Sequence, residues 1–306
     1  MRGKLVCLLG PTSAGKSELS LYISDLFPFE IVNYDSLQVY RHFDIGTAKP
    51  LRTVREKVPH HMIDIKEPEE EFNAALFAEE AEGTVERIWR AGKIPLLVGG
   101  TGLYLRSFLY GLFKAEKDTG LRKELEAEFL VSPRSVYERL AGIDPQYASK
   151  IGPNDRVRII RALEVYHLTG RKMTEIERIH GFRHSRFEVL KIGLIRPRED
   201  LYRRIGERVD QMFRMGWIEE VKGILEKGIG EDAKPFSAIG YREILSYLKG
   251  RRDLLETVET IKRLTRRYAK RQITWFSKER EVEWFFFPEQ GNRIRERIEA
   301  FLHNGS

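Results

Sequence analysis

Short apolar runs punctuate the first third of the chain, and each ends in a glycine or a polar turn. Leu5-Val6-Cys7-Leu8-Leu9 leads straight into a glycine-rich segment, Glu30-Ile31-Val32-Asn33-Tyr34 ends in Asp35, and Ile94-Pro95-Leu96-Leu97-Val98 ends in Gly99. Runs of this length with such borders predict buried strands. Between the second and third lies an Ala- and Glu-rich stretch over 72–90 with helical periodicity. Strand and helix therefore alternate, which predicts a parallel sheet with helices on both faces. From residue 118 to 184 the strand-like runs vanish and charge-rich helical segments take over, for example 121–129 and 154–169. A strand returns at 188–194, and long helices are expected at 198–226 and 254–278, with at most a short charged helix after Glu289. The expected organisation is a core domain, residues 1–117 and 185–306, interrupted by an all-helical insertion over 118–184. There is no internal repeat or low-complexity tract.

The glycine-rich segment after the first strand reads Gly10-Pro11-Thr12-Ser13-Ala14-Gly15-Lys16-Ser17. With this spacing, backbone N–H groups converge on an anion at a helix N-terminus, the Lys16 ammonium reaches phosphate oxygens, and the Ser17 hydroxyl is offered to Mg²⁺. The segment predicts polyphosphate binding in an α/β fold, a P-loop NTPase-like parallel sheet flanked by helices. Nucleotide hydrolases and kinases of this kind usually carry an acid at the end of a second buried strand. Here the strongest such strand ends in Gly99-Gly100-Thr101-Gly102, and the acid stands instead at Asp35, followed by Ser36-Leu37-Gln38. A motor-type ATPase is disfavoured. A small-molecule kinase or another transferase is favoured, with Asp35 facing the crevice at the carboxyl ends of the strands.

Composition narrows the setting. No apolar segment is long enough to span a bilayer, nothing near the N-terminus resembles a signal peptide, and the only cysteine is Cys7. A cytoplasmic chain without an internal disulfide or a multi-cysteine zinc module is expected. The net charge of +7 becomes informative through its distribution. On a helix over 262–275, Lys262, Arg263, Arg266, Arg267, Lys270 and Arg271 share one half of the surface, with Ile273 among them, while Leu264, Tyr268, Gln272 and Trp275 fall on the other. No acid occurs between Glu259 and Glu279 to neutralise them from within. The face suits a phosphate backbone, the alternative being a solvated helix. Arg158 and Arg161 share a face at i,i+3, where pairing with Asp155 and Glu164 competes evenly with phosphate contact. Arg196, Arg198, Arg203, Arg204 and Arg208 crowd one helix start, and at least one is expected to face the phosphate site. The adjacent His60 and His61 read as hydrogen-bonding residues rather than metal ligands.

Together these stretches resemble the tRNA dimethylallyltransferases of bacterial type. The resemblance rests on eight blocks in order: GPTSAGKS, DSLQVY at 35–40, DIGTAKP at 44–50, HHMID at 60–64, GGTGLY at 99–104, DRVRIIRALEV at 155–165, AIGYRE at 238–243 and AKRQITWF at 269–276. One departure is Ser13-Ala14, where the family more often has Ala followed by Ser or Val. The resemblance implies transfer of a dimethylallyl group from dimethylallyl diphosphate to N6 of the adenosine 3′-adjacent to the anticodon. The catalytic residues it implies are Asp35 as general base, with Thr12, Lys16 and Arg208 stabilising the leaving diphosphate. Gly10 to Ser17 would hold that diphosphate, together with Mg²⁺ on Ser17. Contacts to the tRNA anticodon stem-loop are implied for Asp35, Ser36, Leu37, Gln38, Thr101, Arg158, Arg161, Ser237, Gly240, Tyr241, Arg242, Lys270, Arg271, Gln272, Thr274 and Trp275, with Gln38 on the adenine edge and Thr101 guarding the channel. A monomer is expected. The rival readings are an adenylate isopentenyltransferase acting on free nucleotide and a P-loop small-molecule kinase.

Overall fold

The computed structural model describes residues 3–113, 118–181 and 185–303. Six strands, β1 (Lys4–Leu9), β2 (Phe29–Asn33), β3 (His60–His61), β4 (Ile94–Val98), β5 (Glu188–Leu194) and β6 (Val282–Phe285), form one sheet in the order β3-β2-β4-β1-β5-β6. Every pairing is parallel. The expected doubly covered parallel sheet is therefore present, and β1 lies inside it: Leu5 to Leu9 are fully buried. A central strand covered on both faces must be apolar throughout, which is why it reads as an unbroken run.

Helix Lys16–Ser24 contributes Leu19 and Ile23, and helix Gly291–His303 contributes Ile294, Ile298 and Phe301, to one core cluster with Val6, Leu8, Ile31, Leu96 and Ile192. The C-terminal helix, expected to be at most short and charged, runs for 13 residues and is anchored in the core. Helix Ala74–Arg90 is capped by Asn73, whose side chain accepts from the Ala75 and Leu76 amides, and it buries Phe77, Ala81, Val85 and Ile88. The single helix expected over 198–226 is two, Arg198–Arg214 and Trp217–Glu226. Gly216 breaks it with φ 91°, a backbone conformation that side chains disfavour. Trp217, 2% exposed, then turns inward against Phe213 and Tyr241. Helix Leu254–Phe276 runs for 23 residues from its Asp253 cap. Strands β3 and β6 were not anticipated, being short edge elements, one of two residues and one of four.

The chain divides into two compact units, Met1–Leu109 with Ser185–Ser306, and Tyr110–His184. The junctions expected at 117 and 184 lie outside the described residues. The second unit is helical, with helices Thr119–Val131, Pro133–Ile143, Pro145–Ala148, Arg156–Thr169 and Met173–His180. Leu125, Phe129, Val136, Leu140, Ile159, Ile160 and Leu163 form its own core. Asp118, Ser132, Asp144 and Asp155 cap four of its helices, each accepting backbone N–H groups that a helix start leaves without partners. Among the described residues no helix is long and apolar enough to cross a membrane.

Candidate active site

The carboxyl ends of four neighbouring strands meet along one edge of the sheet. β2 leads to Asp35, β4 to the Gly99–Gly102 turn, β1 to the glycine loop at 10–17, and β5 to Arg196. This is where open parallel sheets bind ligands. The loop is shaped for an anion. Gly10 has φ 139°, and a Cβ there would stand 2.5 Å from the Leu194 carbonyl oxygen, so only glycine fits. Ser13 takes φ 62° and Gly15 φ 107° ahead of helix Lys16–Ser24. The amides of Ser13, Gly15, Lys16 and Ser17 donate to no described residue, and the Ser13 Oγ is buried without a partner. The Lys16 Nζ folds back to donate to the Gly10 and Pro11 carbonyls, each at 2.8 Å. Thr12 is half-buried and Ser17 exposed.

Three charges converge behind the loop. Burial, and then the Arg208 charge, pushes the Lys16 ammonium down to about 7, with Asp35 opposing. Burial raises the Asp35 carboxyl above its ordinary range, although the Leu37 and Gln38 amides and the charges of Lys16 and Arg208 act the other way. Burial lowers Arg208, against the pull of Asp35 and Glu18. Among the crowded arginines, the structure separates the braces from the candidate. Arg196 donates to the Ala14 carbonyl at 3.1 Å and to the Phe287 carbonyl, and pairs with Asp200 at 3.0 Å. Arg204 donates to the Ser13 carbonyl at 3.1 Å and pairs with Glu18 at 2.7 Å. Arg203 is held by Asp200 and Glu207, and Arg198 lies over the Tyr202 ring. Arg208 has no hydrogen bond or ion pair to a described residue. It is the arginine of the five that the Lys16 and Asp35 charges feel.

The segment after Asp35 is tightly tied. The Asp35 Oδ1 accepts from the Leu37 amide at 2.9 Å, and the Ser36 amide donates to the Thr101 Oγ1 at 3.1 Å. The Gln38 Nε2 donates to the Thr47 and Ala48 carbonyls at 2.9 and 3.2 Å, so its amide nitrogen is already engaged. Loop 44–48 is itself fixed by Glu220, whose carboxylate accepts from the amides of Asp44 at 3.0 Å, Ile45 at 2.6 Å and Gly46 at 3.4 Å, and from the Tyr241 hydroxyl at 2.6 Å. Lys49, buried, pairs with Asp44 and Asp64, each at 2.6 Å. Glu220 was missed by sequence reasoning because its targets lie some 175 positions away. His60 and His61 are engaged by the Val58 carbonyl at 2.6 Å and Glu30 at 2.7 Å. A cavity of about 190 Å³ opens beside Ser17 and Gln38, lined by Ser20, Asn33 and His60 together with apolar Leu21, Ile31, Val54 and Ile63.

The residues suggested for RNA contact separate into surface and interior. Arg263, Arg267, Lys270, Arg271 and Thr274 are exposed on helix Leu254–Phe276, and Ser237 and Arg242 are exposed nearby in sequence. Lys262 is withdrawn, paired with Asp210 at 2.8 Å, and Arg266 lies over Tyr202, because this helix packs on helix Arg198–Arg214 through Leu201, Ile205 and Ala269. Lys262 is thus neutralised from two sides, by Asp210 of the neighbouring helix and by Glu259 of its own at 3.2 Å. Tyr241 is fully buried against Phe43, Phe236 and Trp217, and a Cβ at Gly240 would meet Trp217 at 1.9 Å. Gln272 is 5% exposed. These three are interior, so their closeness to the site is structural rather than a reach into solvent. Trp275 is half-buried with Arg106 over its ring at 5.0 Å. Within the helical unit, Arg161 pairs with the fully buried Glu164 at 2.7 Å, and Arg158, more exposed, with Asp155 at 3.3 Å.

Among the described residues, no group of three or more His, Cys, Asp or Glu side chains could hold a metal ion. What the loop offers is one exposed hydroxyl, Ser17, next to amides that donate to no described residue. That donor set fits a magnesium ion that keeps its waters and is held mainly through substrate phosphates.

Comparison with known proteins agrees with this geometry. The family model described as IPP transferase matches residues 38–279. A tRNA dimethylallyltransferase 2 from Geotalea uraniireducens is 48% identical, covering 98% of this chain and 97% of its own. The crystal structure of the tRNA isopentenylpyrophosphate transferase from Bacillus halodurans is 39% identical with a TM-score of 0.74, covering 98% of this chain and 97% of that one. A eukaryotic dimethylallyltransferase solved acting on tRNA is 29% identical with a TM-score of 0.84, covering 99% of this chain and 80% of its own.

Proposed function

The chain belongs to the IPP transferase family, and from that premise we propose that the edge of its sheet joins a five-carbon prenyl diphosphate to an adenine amine of tRNA. The protein is a prenyltransferase that transfers a dimethylallyl group to tRNA. We read the donor as dimethylallyl diphosphate and the acceptor atom as N6 of the adenosine 3′-adjacent to the anticodon. The observation that carries this reading is the pairing of a phosphate loop with Asp35, at the end of β2, and with no acid at the end of β4.

The diphosphate sits against the free amides of the loop, with Lys16, the Thr12 hydroxyl and Arg208 facing the charge that grows on it as the carbon–oxygen bond breaks. The adenine N6 lone pair forms the new carbon–nitrogen bond, and the proton lost from N6 passes to the Asp35 carboxylate. Burial raises the proton affinity of that carboxylate, as a base for a weakly acidic amine requires. The cavity beside Ser17 receives the five-carbon chain against its apolar side, Leu21, Ile31, Val54 and Ile63. Ser17 would hold a magnesium ion, which would supply further charge neutralisation. Ser36, Leu37, Gln38 and Thr101 line the approach of the base, with the Gln38 carbonyl oxygen offered to the adenine edge. Flipping that base out of its stack costs roughly a few kcal/mol. Backbone contacts from Arg267, Lys270 and Arg271, together with Arg158 and Arg161 of the helical unit, Ser237 and Arg242, offset that cost.

The exposed cations of helix Leu254–Phe276 favour tRNA over a free nucleotide as acceptor. Replacing Lys270 and Arg271 together by alanine is expected to weaken tRNA binding and to make its logarithmic salt dependence shallower by about 1.5. Filter binding across a salt series checks this, and an unchanged slope counts against phosphate contact. The reaction class is tested by diphosphate release, which should occur from dimethylallyl diphosphate only when tRNA is added. Phosphoryl transfer from ATP in place of that release would establish the kinase reading instead.

A further inference from the structure

Gln272 lies on the inward side of helix Leu254–Phe276, and both ends of its amide are used. Its Oε1 accepts from the Thr12 backbone amide at 2.8 Å, and its Nε2 donates to the Gly100 carbonyl at 3.0 Å. The residue is 5% exposed, and its bond to Gly100 is buried while that from Thr12 is partly so. The neighbouring turn is shaped around it: a Cβ on Gly100 would come within 2.4 Å of the Gln272 Nε2, and the Tyr268 hydroxyl, one helical turn earlier, closes the same space at 3.9 Å. Two backbone segments that end different strands, the phosphate loop after β1 and the Gly99–Gly102 turn after β4, are thus tied to one side chain. The opposite side of the same helical turns carries exposed Arg267, Lys270 and Arg271.

We propose that Gln272 is a positioning residue for the donor site, a tether that sets the phosphate loop at Thr12 against the helix whose outer face docks RNA, and not itself an RNA contact. This deepens the reading above and rests on it, since it takes the loop as the diphosphate site. Without the tether the Thr12 amide and the Gly100 carbonyl lose their buried partners, and the loop no longer holds Thr12 in place before the donor arrives. A glutamate at this position has an informative chemistry. Protonated, it can accept from the Thr12 N–H and donate to the Gly100 carbonyl as the amide does; ionised, it can only accept, and it adds a negative charge beside an anion site.

The test measures affinity for inorganic diphosphate with Mg²⁺ by calorimetry, and for tRNA by filter binding, in the wild type, Gln272→Met and Gln272→Glu. Gln272→Met is expected to weaken diphosphate binding about tenfold, while tRNA affinity and its salt dependence stay within about twofold of wild type. For Gln272→Glu, the deficit relative to wild type should shrink as the pH is lowered from about 8 to about 6, as the carboxyl regains its proton. Lost tRNA affinity with intact diphosphate binding would overturn the proposal, as would wild-type diphosphate affinity in the methionine variant. A glutamate deficit that does not change with pH would overturn it too, and this arm decides even if the methionine variant does not fold. A wild-type protein that fails to bind diphosphate overturns the phosphate-loop reading itself.

Discussion

Asp35→Asn is expected to lower turnover by at least about 10²-fold while leaving tRNA affinity within about threefold of wild type. Asparagine is the informative replacement because the Asp35 Oδ1 accepts from the Leu37 amide at 2.9 Å, and the asparagine oxygen can keep that bond and the turn it shapes. What is lost is the ability to take a proton from N6. The wild-type pH profile should carry an acid limb from this group. Its folded carboxyl is raised by burial, so the limb lies above the ordinary value of 3.8, with activity falling as the pH drops through it. The asparagine variant should lack that limb. Single-turnover assays across pH, with tRNA binding measured in parallel, check both statements; loss of tRNA affinity along with turnover would show that Asp35 has been given the wrong role.

Lys16→Met is expected to reduce kcat/KM by about 10²- to 10³-fold, through the loss of a charge aimed at the leaving diphosphate. Lys16 is pushed down to about 7 by burial and by the Arg208 charge, and among the described residues its ammonium donates to the Gly10 and Pro11 carbonyls. An incoming diphosphate stabilises the protonated form and so raises this value. Binding above about pH 7 must then draw a proton from solution, and affinity for the fully ionised donor should fall as the pH rises from there. Calorimetry of a non-reactive donor analogue at about pH 8, in buffers of different ionisation enthalpy, should register proton uptake in the wild type and none in the methionine variant. Equal uptake in both would assign the proton elsewhere.

Strands β1, β2, β4 and β5 were legible because strands buried on both faces are mostly apolar. Strands β3 and β6 were not. His60–His61 is too short to show a pattern, and Val282–Phe285 carries Glu283 and the half-exposed Trp284 at the sheet edge. The break at Gly216 could have been read from the glycine itself, but the amphipathic pattern continues through it and favours one helix. The phosphate loop and Asp35 stood out because their chemistry is local to a few residues. The roles of the arginines did not, since what separates Arg208 from Arg196 and Arg204 is which loop carbonyls the latter two reach, 182 and 191 residues away. Gln272 illustrates the same limit: the helical wheel sets it on the side away from the cations, yet its partner at Thr12 is 260 residues distant. Tyr241 and Gly240 read as surface motif residues until the ring of Trp217 closes over them. Lys191, a charge inside β5, interrupts an apolar strand without explanation in the sequence; the fold supplies Glu279 at 3.2 Å.

The central claim is tested most directly by incubating the purified protein with Mg²⁺, labelled dimethylallyl diphosphate and either unmodified tRNA or AMP, then digesting to nucleosides. Label in N6-dimethylallyladenosine recovered from tRNA, with AMP left unlabelled, is the expected result. Label transferred to AMP, or none in the adenosine of tRNA, would contradict it.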